Sequence, residues 1–145
     1  MLEMHQRLSQ ESVFFRYLRG HLPTLEELQE ICSLDEKDGF VLIASIEEPE
    51  EKVVGISYFC VEPQNPASAE PAILVEDDYQ GCGLGKRLFK KLAQHAHNFG
   101  VSEFVCYAHP ANHRVFRMIE RSGMRFERKY FQGMKEIRVL FNPIQ

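Results

Sequence analysis

The spacing of apolar residues divides the chain into a helical first third and a longer region in which strands and helices alternate. In the first third, apolar residues recur at helical intervals over three short segments, residues 1–8, 9–19 and 24–32. The third segment opens with a capping box, because Thr24 is followed three residues later by Glu27. We therefore expect short amphipathic helices before residue 33.

From residue 39 onward the apolar residues follow the pattern of β-strands. Segments rich in β-branched and aromatic residues occupy 39–46, 52–61, 71–76 and 102–108. The first two are separated by a charged connection and are predicted to pair antiparallel. The third is short and continuously apolar, which is typical of a central strand. The stretch 62–71, with its prolines, is predicted to be a loop between strands.

Two longer helices are predicted between and after these strands. Residues 84–98 carry an apolar stripe at helical spacing, and most of the cations fall outside that stripe. A second helix covers 112–122 and is capped by Asn112. A hairpin made of 124–131 and 136–141 closes the chain. The order of elements predicts an α/β or α+β fold, in which a mixed central sheet is flanked by helices.

Composition narrows the classes of function. The chain of 145 residues has the length of a single domain, 1–145. Its 44% apolar and 26% charged residues are typical of a globular domain. The net charge of −4 disfavours a broad nucleic-acid or membrane surface, and no run reaches the ~18 apolar residues of a membrane helix. The four cysteines form no C-x-x-C pair, and the histidines lack metal-ligand spacing. We expect reduced cysteines, no metal site and a cytoplasmic protein.

The candidate chemistry lies in the stretch "VEDDYQGCGLGKRLFKKLA", residues 75–93, where three glycines at 81, 83 and 85 follow a strand and open a helix. Such a loop permits positive φ and presents free N–H groups at the positive end of the helix dipole, where anions bind. Lys86 excludes the dinucleotide pattern G-x-G-x-x-G, and Arg87 excludes a P-loop. A phosphate site and a tight turn without a ligand both stay open.

The residues around this loop resemble one known superfamily. The "QGCGLG" at 80–85 is similar to the Q/R-x-x-G-x-G/A signature of the GNAT N-acetyltransferases, and the helix capped by Asn112 fits the same family. Two further stretches, "RLSQES" at 7–12 and "AEPAILVEDDYQGCGLG" at 69–85, resemble the Pat-type protein lysine acetyltransferases. The resemblance implies the GNAT acyltransferase fold, a mixed central sheet flanked by helices.

One departure from the family concerns the first strand. GNAT chains usually begin with a β-strand, whereas this chain begins with a predicted helix. Either the chain is a truncated form or its sheet lacks the first edge strand. Such a sheet would expose an edge that a partner, or a second copy of the chain in a homodimer, could cover.

The resemblance implies acetyl-CoA, or another acyl-CoA, as the donor. Its pyrophosphate would bind the N–H groups of the glycine loop, and its pantetheine arm would pair with the end of the preceding strand. The donor-binding residues implied in this way are Leu74, Val75, Gln80, Gly81, Cys82, Gly83, Leu84, Gly85, Lys86 and Asn112. Cys82 is interpreted as a spacer and Asn112 as a helix cap. The later cations Arg87, Lys90 and Lys91 either meet phosphate or form a solvated face.

The acceptor implied by the resemblance is a primary amine, and for the Pat-type group a protein lysine. A lysine amine, with a pKa of about 10.4, attacks only after losing a proton, so a base is required. Glu70 matches the Glu of the family's "AE" and is the predicted catalytic base. Ile119 stands where many GNAT enzymes have a tyrosine acid, which leaves Tyr107 and His109 as candidates. The carboxylates at 76–78 are predicted to be solvated.

Two functions from different classes fit these residues. One is an enzyme that transfers an acyl group to an amine. The other is a degenerate domain that binds acyl-CoA as a sensor, or docks a partner, without turnover. Ile119 and the missing strand keep the second function open, although the enzyme is the predicted one. Glu70 separates them, because only in the enzyme would its loss abolish transfer while leaving acyl-CoA binding intact.

Overall fold

The computed structural model describes residues 1–47 and 49–141. Its helices are α1 (Leu2–Gln6), α2 (Gln10–Tyr17), α3 (Leu25–Cys32), α4 (Leu84–Asn98) and α5 (His113–Arg121). Its strands are β1 (Gly39–Ile46), β2 (Lys52–Glu62), β3 (Asn65–Val75), β4 (Glu103–Ala108), β5 (Arg125–Phe131) and β6 (Met134–Leu140). A 3-10 turn covers Asp77–Tyr79. The predicted strand 39–46 and the predicted helix 84–98 are confirmed residue for residue.

The predicted N-terminal helices are confirmed, and side-chain caps fix where two of them begin. Helix α2 follows Ser9, whose hydroxyl accepts a hydrogen bond from the Ser12 N–H at 3.1 Å. In the capping box of α3, the Glu27 N–H donates to Thr24 Oγ1 at 3.2 Å, and the Thr24 N–H donates to Glu27 Oε2 at 2.9 Å. These bonds satisfy N–H groups that the first helical turn leaves free, so local sequence sets both starts.

Strand β3 is longer than predicted. The expected loop at 62–71 is instead a tight turn at 63–64, and β3 starts at Asn65. Pairing with β2 brings Val61 opposite Ala69, and a bulge next to Val61 absorbs a shift in register. The expectation of a loop was wrong because β2 supplies hydrogen-bond partners that outweigh the low strand propensity of the Asn and Pro residues.

The strands form one mixed sheet in the order β1-β2-β3-β4-β6-β5. Strands β3 and β4 pair parallel, and the other neighbours pair antiparallel. The predicted mixed sheet flanked by helices is therefore confirmed. Within the described residues, β1 is the first strand of the chain and lies at an edge of the sheet.

Helices pack on both faces of the sheet. On one face, Phe89 and Leu92 of α4 join Phe59 and Phe104 in the main core, and each such side chain contributes roughly 1.5–3 kcal/mol by leaving water. On the other face, Met4 of α1 packs against strands β2 and β3. Because α4 follows β3 and packs back along the sheet, its N-terminus lies next to the end of that strand.

Candidate active site

Strands β3 and β4 separate soon after they meet. Their parallel pairing is limited to Ser68 with Glu103 and Ala69 with Phe104. Beyond these pairs β3 continues to Val75 and β4 continues to Ala108, with no pairing between them. The centre of the sheet therefore contains a gap between two strands, closed at one end by Ala69 and open at the other. We call this the β3–β4 gap.

The backbone of β3 explains where the pairing stops. The Glu76 N–H donates to Val54 O of β2 at 2.8 Å, whereas Val75 O points away from β2 and accepts from the Gln80 side chain. Because backbone groups alternate along a strand, residues 71, 73 and 75 face β4. Residue 71 is Pro71, which has no N–H to donate. The parallel ladder ends there for lack of a donor.

The same alternation distinguishes Leu74 from Val75, the two strand residues that were expected to contact the donor, by the direction in which their backbone groups point. The backbone of Val75 faces the gap, together with that of Ile73. The backbone of Leu74 faces β2, opposite Ile56, and its side chain packs in the cluster with Met4. Sequence reasoning did not include Ile73, although the period of two in a strand is a signal that could have found it.

The glycine loop presents free N–H groups at the start of α4. Gly81 and Gly83 have φ of 79° and 89°, in the left-handed region that favours glycine. Gly83 caps the helix without a side-chain bond, and the first backbone bond of the helix runs from Arg87 N to Gly83 O at 3.1 Å. The N–H groups of 84–86 precede that bond, so they remain available to an anion.

Two side chains of the loop turn toward the protein. Gln80 Nε2 donates to Val75 O at 2.8 Å and to Ser12 Oγ at 3.2 Å, while Gln80 Oε1 is buried without a hydrogen-bond partner. The thiol of Cys82 donates to Tyr79 O at 2.8 Å. Gln80 therefore holds the loop to the end of β3. Cys82 bonds to the backbone three residues earlier, and its interpretation as a spacer is kept.

The cations at the start of α4 differ in exposure. Lys86 is half-buried in the first turn, and Arg87, Lys90 and Lys91 are exposed. In the described part of the chain, the ion pairs use other cations. None of these four cations is therefore held in an ion pair with another described residue, and Lys86 is the nearest of them to the loop in sequence.

Glu70 lies at the closed end of the gap. It immediately follows Ala69, the last residue of β3 that pairs with β4, and its side chain is exposed. Burial and the negative charge of Glu70 together raise the pKa of the Cys60 thiol, and they raise that of Cys106 to about 12. Both neighbouring thiols therefore stay protonated at neutral pH.

The two candidate acids, Tyr107 and His109, both form hydrogen bonds with neighbouring residues. The Tyr107 hydroxyl donates to Glu136 Oε1 at 3.2 Å, and partial burial and this carboxylate raise the pKa of Tyr107. His109 Nδ1 accepts from the Ala111 N–H at 3.0 Å. A raised pKa makes Tyr107 a poorer acid. Sequence reasoning missed Glu136, whose signal is the alternating pattern of β6.

The carboxylates after β3 correct one expectation. Glu76 is buried, with 3% of its surface exposed, and accepts from Arg7 Nε at 2.9 Å. Asp77 accepts hydrogen bonds from Ser9 and Ser12. Only Asp78 is exposed as expected. The prediction of solvated carboxylates was wrong for Glu76 and Asp77, because partners almost 70 residues away in sequence cover them.

Two positions of α5 fill structural roles. Asn112 Oδ1 accepts from the Val115 N–H at 3.4 Å, so the predicted cap is present. Ile119 is 1% exposed and packs in the main core. No acid can act from position 119, which agrees with the departure noted in the sequence.

Other kinds of site find no support in the described residues. The four cysteines are free. Within residues 1–47 and 49–141, no group of three or more His, Cys, Asp or Glu side chains is arranged to hold a metal ion. None of the helices in these ranges is both long enough and apolar enough to span a membrane.

Comparison with known proteins identifies the family. A family model described as an acetyltransferase (GNAT) domain matches residues 2–125. Acetyltransferase Pat from Mycolicibacterium smegmatis is 30% identical over 115 residues, which cover 79% of this chain and 34% of that protein. The chain thus spans about a third of the length of this curated relative.

Solved structures share the fold. The GNAT domain of S. lividans PAT superposes with a TM-score of 0.83 at 22% identity, and the match covers 95% of this chain and 82% of that one. YncA from Salmonella typhimurium, solved with its cofactor acetyl-CoA, superposes with a TM-score of 0.58 at 20% identity, covering 72% of this chain and 66% of that one. Since the family model matches most of the chain and the fold agrees, the chain belongs to the GNAT acetyltransferase family.

Proposed function

We propose that this domain transfers an acetyl group from acetyl-CoA to a primary amine, and that the amine is a protein lysine. The observation that carries the proposal is the β3–β4 gap, with free N–H groups at its open end and an exposed carboxylate at its closed end. From Glu70 to Val75 the strand rises about 17 Å. An extended pantetheine arm with a pyrophosphate at one end and a thioester at the other fits such a gap.

The donor would bind mainly through backbone groups. The N–H groups at the start of α4 meet the pyrophosphate, and Lys86 adds a charge-assisted contact. The amides of the pantetheine arm pair with the gap-facing backbone of Ile73 and Val75, as an added strand would. Neither residue has a partner strand on this side, and only Val75 O is already bonded, to Gln80, so an incoming arm can satisfy the other backbone groups.

The chemistry would begin with a proton transfer to Glu70. The carboxylate, directly or through water, takes a proton from the lysine ammonium, whose ordinary pKa is about 10.4. The neutral amine nitrogen then attacks the thioester carbon, a C–N bond forms, the C–S bond breaks, and CoA leaves as the thiolate. The nitrogen gives up its second proton to that thiolate, directly or through water, so that the products are a neutral amide and CoA thiol. A backbone N–H facing the gap would donate to the oxyanion. A thiolate is a stable leaving group near neutral pH, so no acid from α5 is needed.

The lysine acceptor rests on two supports. One is the likeness to acetyltransferase Pat over 115 residues. The other is the charge of the face on which Glu70 lies. Strand alternation places Tyr107 and its partner Glu136 on that same face. Glu136 is already paired with Lys129 at 3.2 Å, so the exposed Glu70 is the carboxylate that would attract a cationic side chain. A long, flexible lysine can reach Glu70 from the surface.

Glu70→Gln tests the proposal. The wild type should release free CoA thiol from acetyl-CoA in the presence of a lysine-bearing protein, and Glu70→Gln should lose this activity by about 10²-fold or more. Calorimetry should show equal CoA affinity for both, because the amide keeps the shape of the side chain. If the wild type binds CoA but releases no thiol with any amine acceptor, the domain is an acyl-CoA sensor or docking module instead.

We also propose a homodimer through the outer edge of β1. The two edge strands differ in charge: β1 carries no charged residue, whereas β5 carries Arg125, Glu127, Arg128 and Lys129. Charged residues on an edge strand oppose edge-to-edge pairing, and β1 lacks this protection. Ile43 is 50% exposed on this strand. Sedimentation should show a dimer that Ile43→Lys dissociates, and a monomeric wild type would refute the proposal.

A further inference from the structure

The "RLSQES" segment at 7–12 is not explained by the donor site itself. In the fold it lies beside the loop that follows β3. Arg7 Nε donates to the buried Glu76 at 2.9 Å, and an Arg7 terminal nitrogen donates to Val53 O at 2.9 Å. Glu76 is the first residue after the gap-lining strand. The segment is therefore joined to the structure from which the glycine loop departs.

A second contact joins this segment to Asp77. The N–H of Ser9 donates to Asp77 Oδ1 at 2.9 Å, and its hydroxyl donates to Asp77 Oδ2 at 2.8 Å. The Ser12 hydroxyl donates to the same Oδ2 at 3.1 Å. The carboxylate of Asp77 thus receives its hydrogen bonds from the N-terminus of α2, where negative charge is also favoured by the helix dipole.

Ser12 connects these contacts to the glycine loop. While its hydroxyl donates to Asp77, it accepts from Gln80 Nε2 at 3.2 Å. Gln80 is the first residue of the loop motif, and the same Nε2 also donates to Val75 O at the end of β3 at 2.8 Å. One hydroxyl therefore links α2, the carboxylate after β3, and the side chain that ties the loop to the gap.

The other end of α2 contacts the opposite strand of the gap. The rings of Phe14 and Phe15 pack against His109, with ring centroids 5.5 Å and 6.0 Å from that of the histidine. His109 directly follows β4, which ends at Ala108. Helix α2 thus bridges the ends of both strands that border the gap, and Ser12 is its hydrogen-bonded contact on the β3 side.

We propose that Ser12 is a positioning residue of the acyl-CoA site, whose hydroxyl holds Gln80 so that the glycine loop presents its N–H groups to the pyrophosphate. This inference rests on the proposed acyl-CoA binding. Ser12 itself does not touch the donor, and it acts through Gln80 and Asp77. Without the hydroxyl, Gln80 Nε2 keeps a single acceptor, and the loop loses its link to α2.

The expected result is weaker donor binding with little change in the chemical step. Ser12→Ala should raise the Kd for CoA, measured by calorimetry, and the KM for acetyl-CoA by about 5- to 10-fold, the effect of removing a partly buried hydrogen bond. The kcat should change by less than about 2-fold, because Glu70 and the gap-facing backbone are unaltered. Ser12→Thr, which keeps the hydroxyl, should restore most of the affinity.

Ser33→Ala serves as the matched control, because Ser33 is an exposed serine at the end of α3, away from the loop. Circular dichroism should show that all variants are folded. Equal CoA affinity of Ser12→Ala and wild type, a loss confined to kcat, or a Ser12→Thr variant as weak as Ser12→Ala would each overturn the inference. A wild type that fails to bind CoA would instead refute the proposed function, so the two failures are distinguishable.

Discussion

The two sides of strand β3 differ in how completely their backbone groups are paired. Toward β2, the register runs without a break from Ala69 to Val75. Toward β4, pairing stops after Ala69, because the next residue on that side is Pro71 and the strands then separate. The same residues thus form a finished ladder on one side and an open gap on the other.

Within this one strand, the side that pairs with β2 serves stability, and the side that faces the gap is available for binding. Paired backbone groups and the core beneath them stabilise the sheet, whereas unpaired N–H and C=O groups in the middle of a sheet stabilise nothing until a ligand pairs with them. The predictions below test this division, beginning with the largest expected effect.

The largest expected effect is the loss of stability on truncating Phe104, the core side chain at the point where β3 and β4 still pair. Phe104 is fully buried, and its ring lies 4.8 Å from Phe141 and 5.9 Å from Phe59, measured between centroids. Phe104→Ala should lower the free energy of unfolding by about 3–5 kcal/mol, measured by urea denaturation, because it leaves a cavity. Val105→Ala, on the opposite face of β4, is the control and should cost clearly less. Equal losses would mean that the paired end is not a stability centre.

Hydrogen exchange should distinguish the two sides of β3 residue by residue. The amides of Ala72 and Leu74 face β2 and should exchange slowly with or without ligand. The amides of Ile73 and Val75 face the gap and should exchange at least about 10²-fold more slowly once CoA is bound, because the ligand supplies their acceptors. The measurement is amide exchange followed by NMR. Protection of all four amides in the free protein would contradict an open gap.

A side chain at Gly83 should weaken both the loop and the donor site. Gly83 has a φ of 89°, and a Cβ there would meet no atom within 4 Å, so the cost is conformational rather than steric. Gly83→Ala should destabilise the protein by about 1–2 kcal/mol and weaken CoA binding, measured by thermal unfolding and calorimetry. Gly20→Ala is the control, since Gly20 also has open space around it and no positive φ. An unaffected Gly83→Ala would remove the argument for a preformed loop.

The smallest expected effect is the pH-dependent contribution of Asp77 to the free energy of unfolding. Partial burial favours its neutral form, but hydrogen bonds from Ser9 and Ser12 outweigh this and lower the pKa of Asp77. Because the folded-state pKa is lowered, the carboxylate stabilises the fold at pH values above its unfolded pKa of about 3.9, and this contribution is lost as the pH falls through the lowered folded-state pKa. Asp77→Asn should therefore lose stability at pH 7 but little at pH 2 relative to wild type, measured by urea denaturation. An equal loss at both pH values would exclude the ionised carboxylate as the cause.

Much of the fold follows from patterns that span only a few residues. Strand 39–46 and helix 84–98 have the predicted bounds, because alternation and helical spacing are local properties of the backbone. The capping box at Thr24 and the cap at Asn112 are local as well. The start of β3 was missed because its partner strand, rather than its own composition, decides that Asn65 is extended.

The same division applies to the site. The glycine loop was located from spacing, whereas the donor contact of Lys86 and the catalytic role of Glu70 stay predictions. The burial of Glu76 and the hydrogen bonds of Asp77 were not found, because their partners Arg7 and Ser9 lie almost 70 residues earlier in the chain.

The sequence by itself determined which segments become helices and strands, where the helix caps lie, and that a glycine loop joins a strand to a helix. These features depend on backbone conformation and on neighbours within a turn or two. Only the tertiary structure decided that β3 and β4 part at Pro71 and that α2 bridges these two strands. Those features require groups that are distant in sequence to meet, and their hydrogen bonds form only once the chain has folded around them.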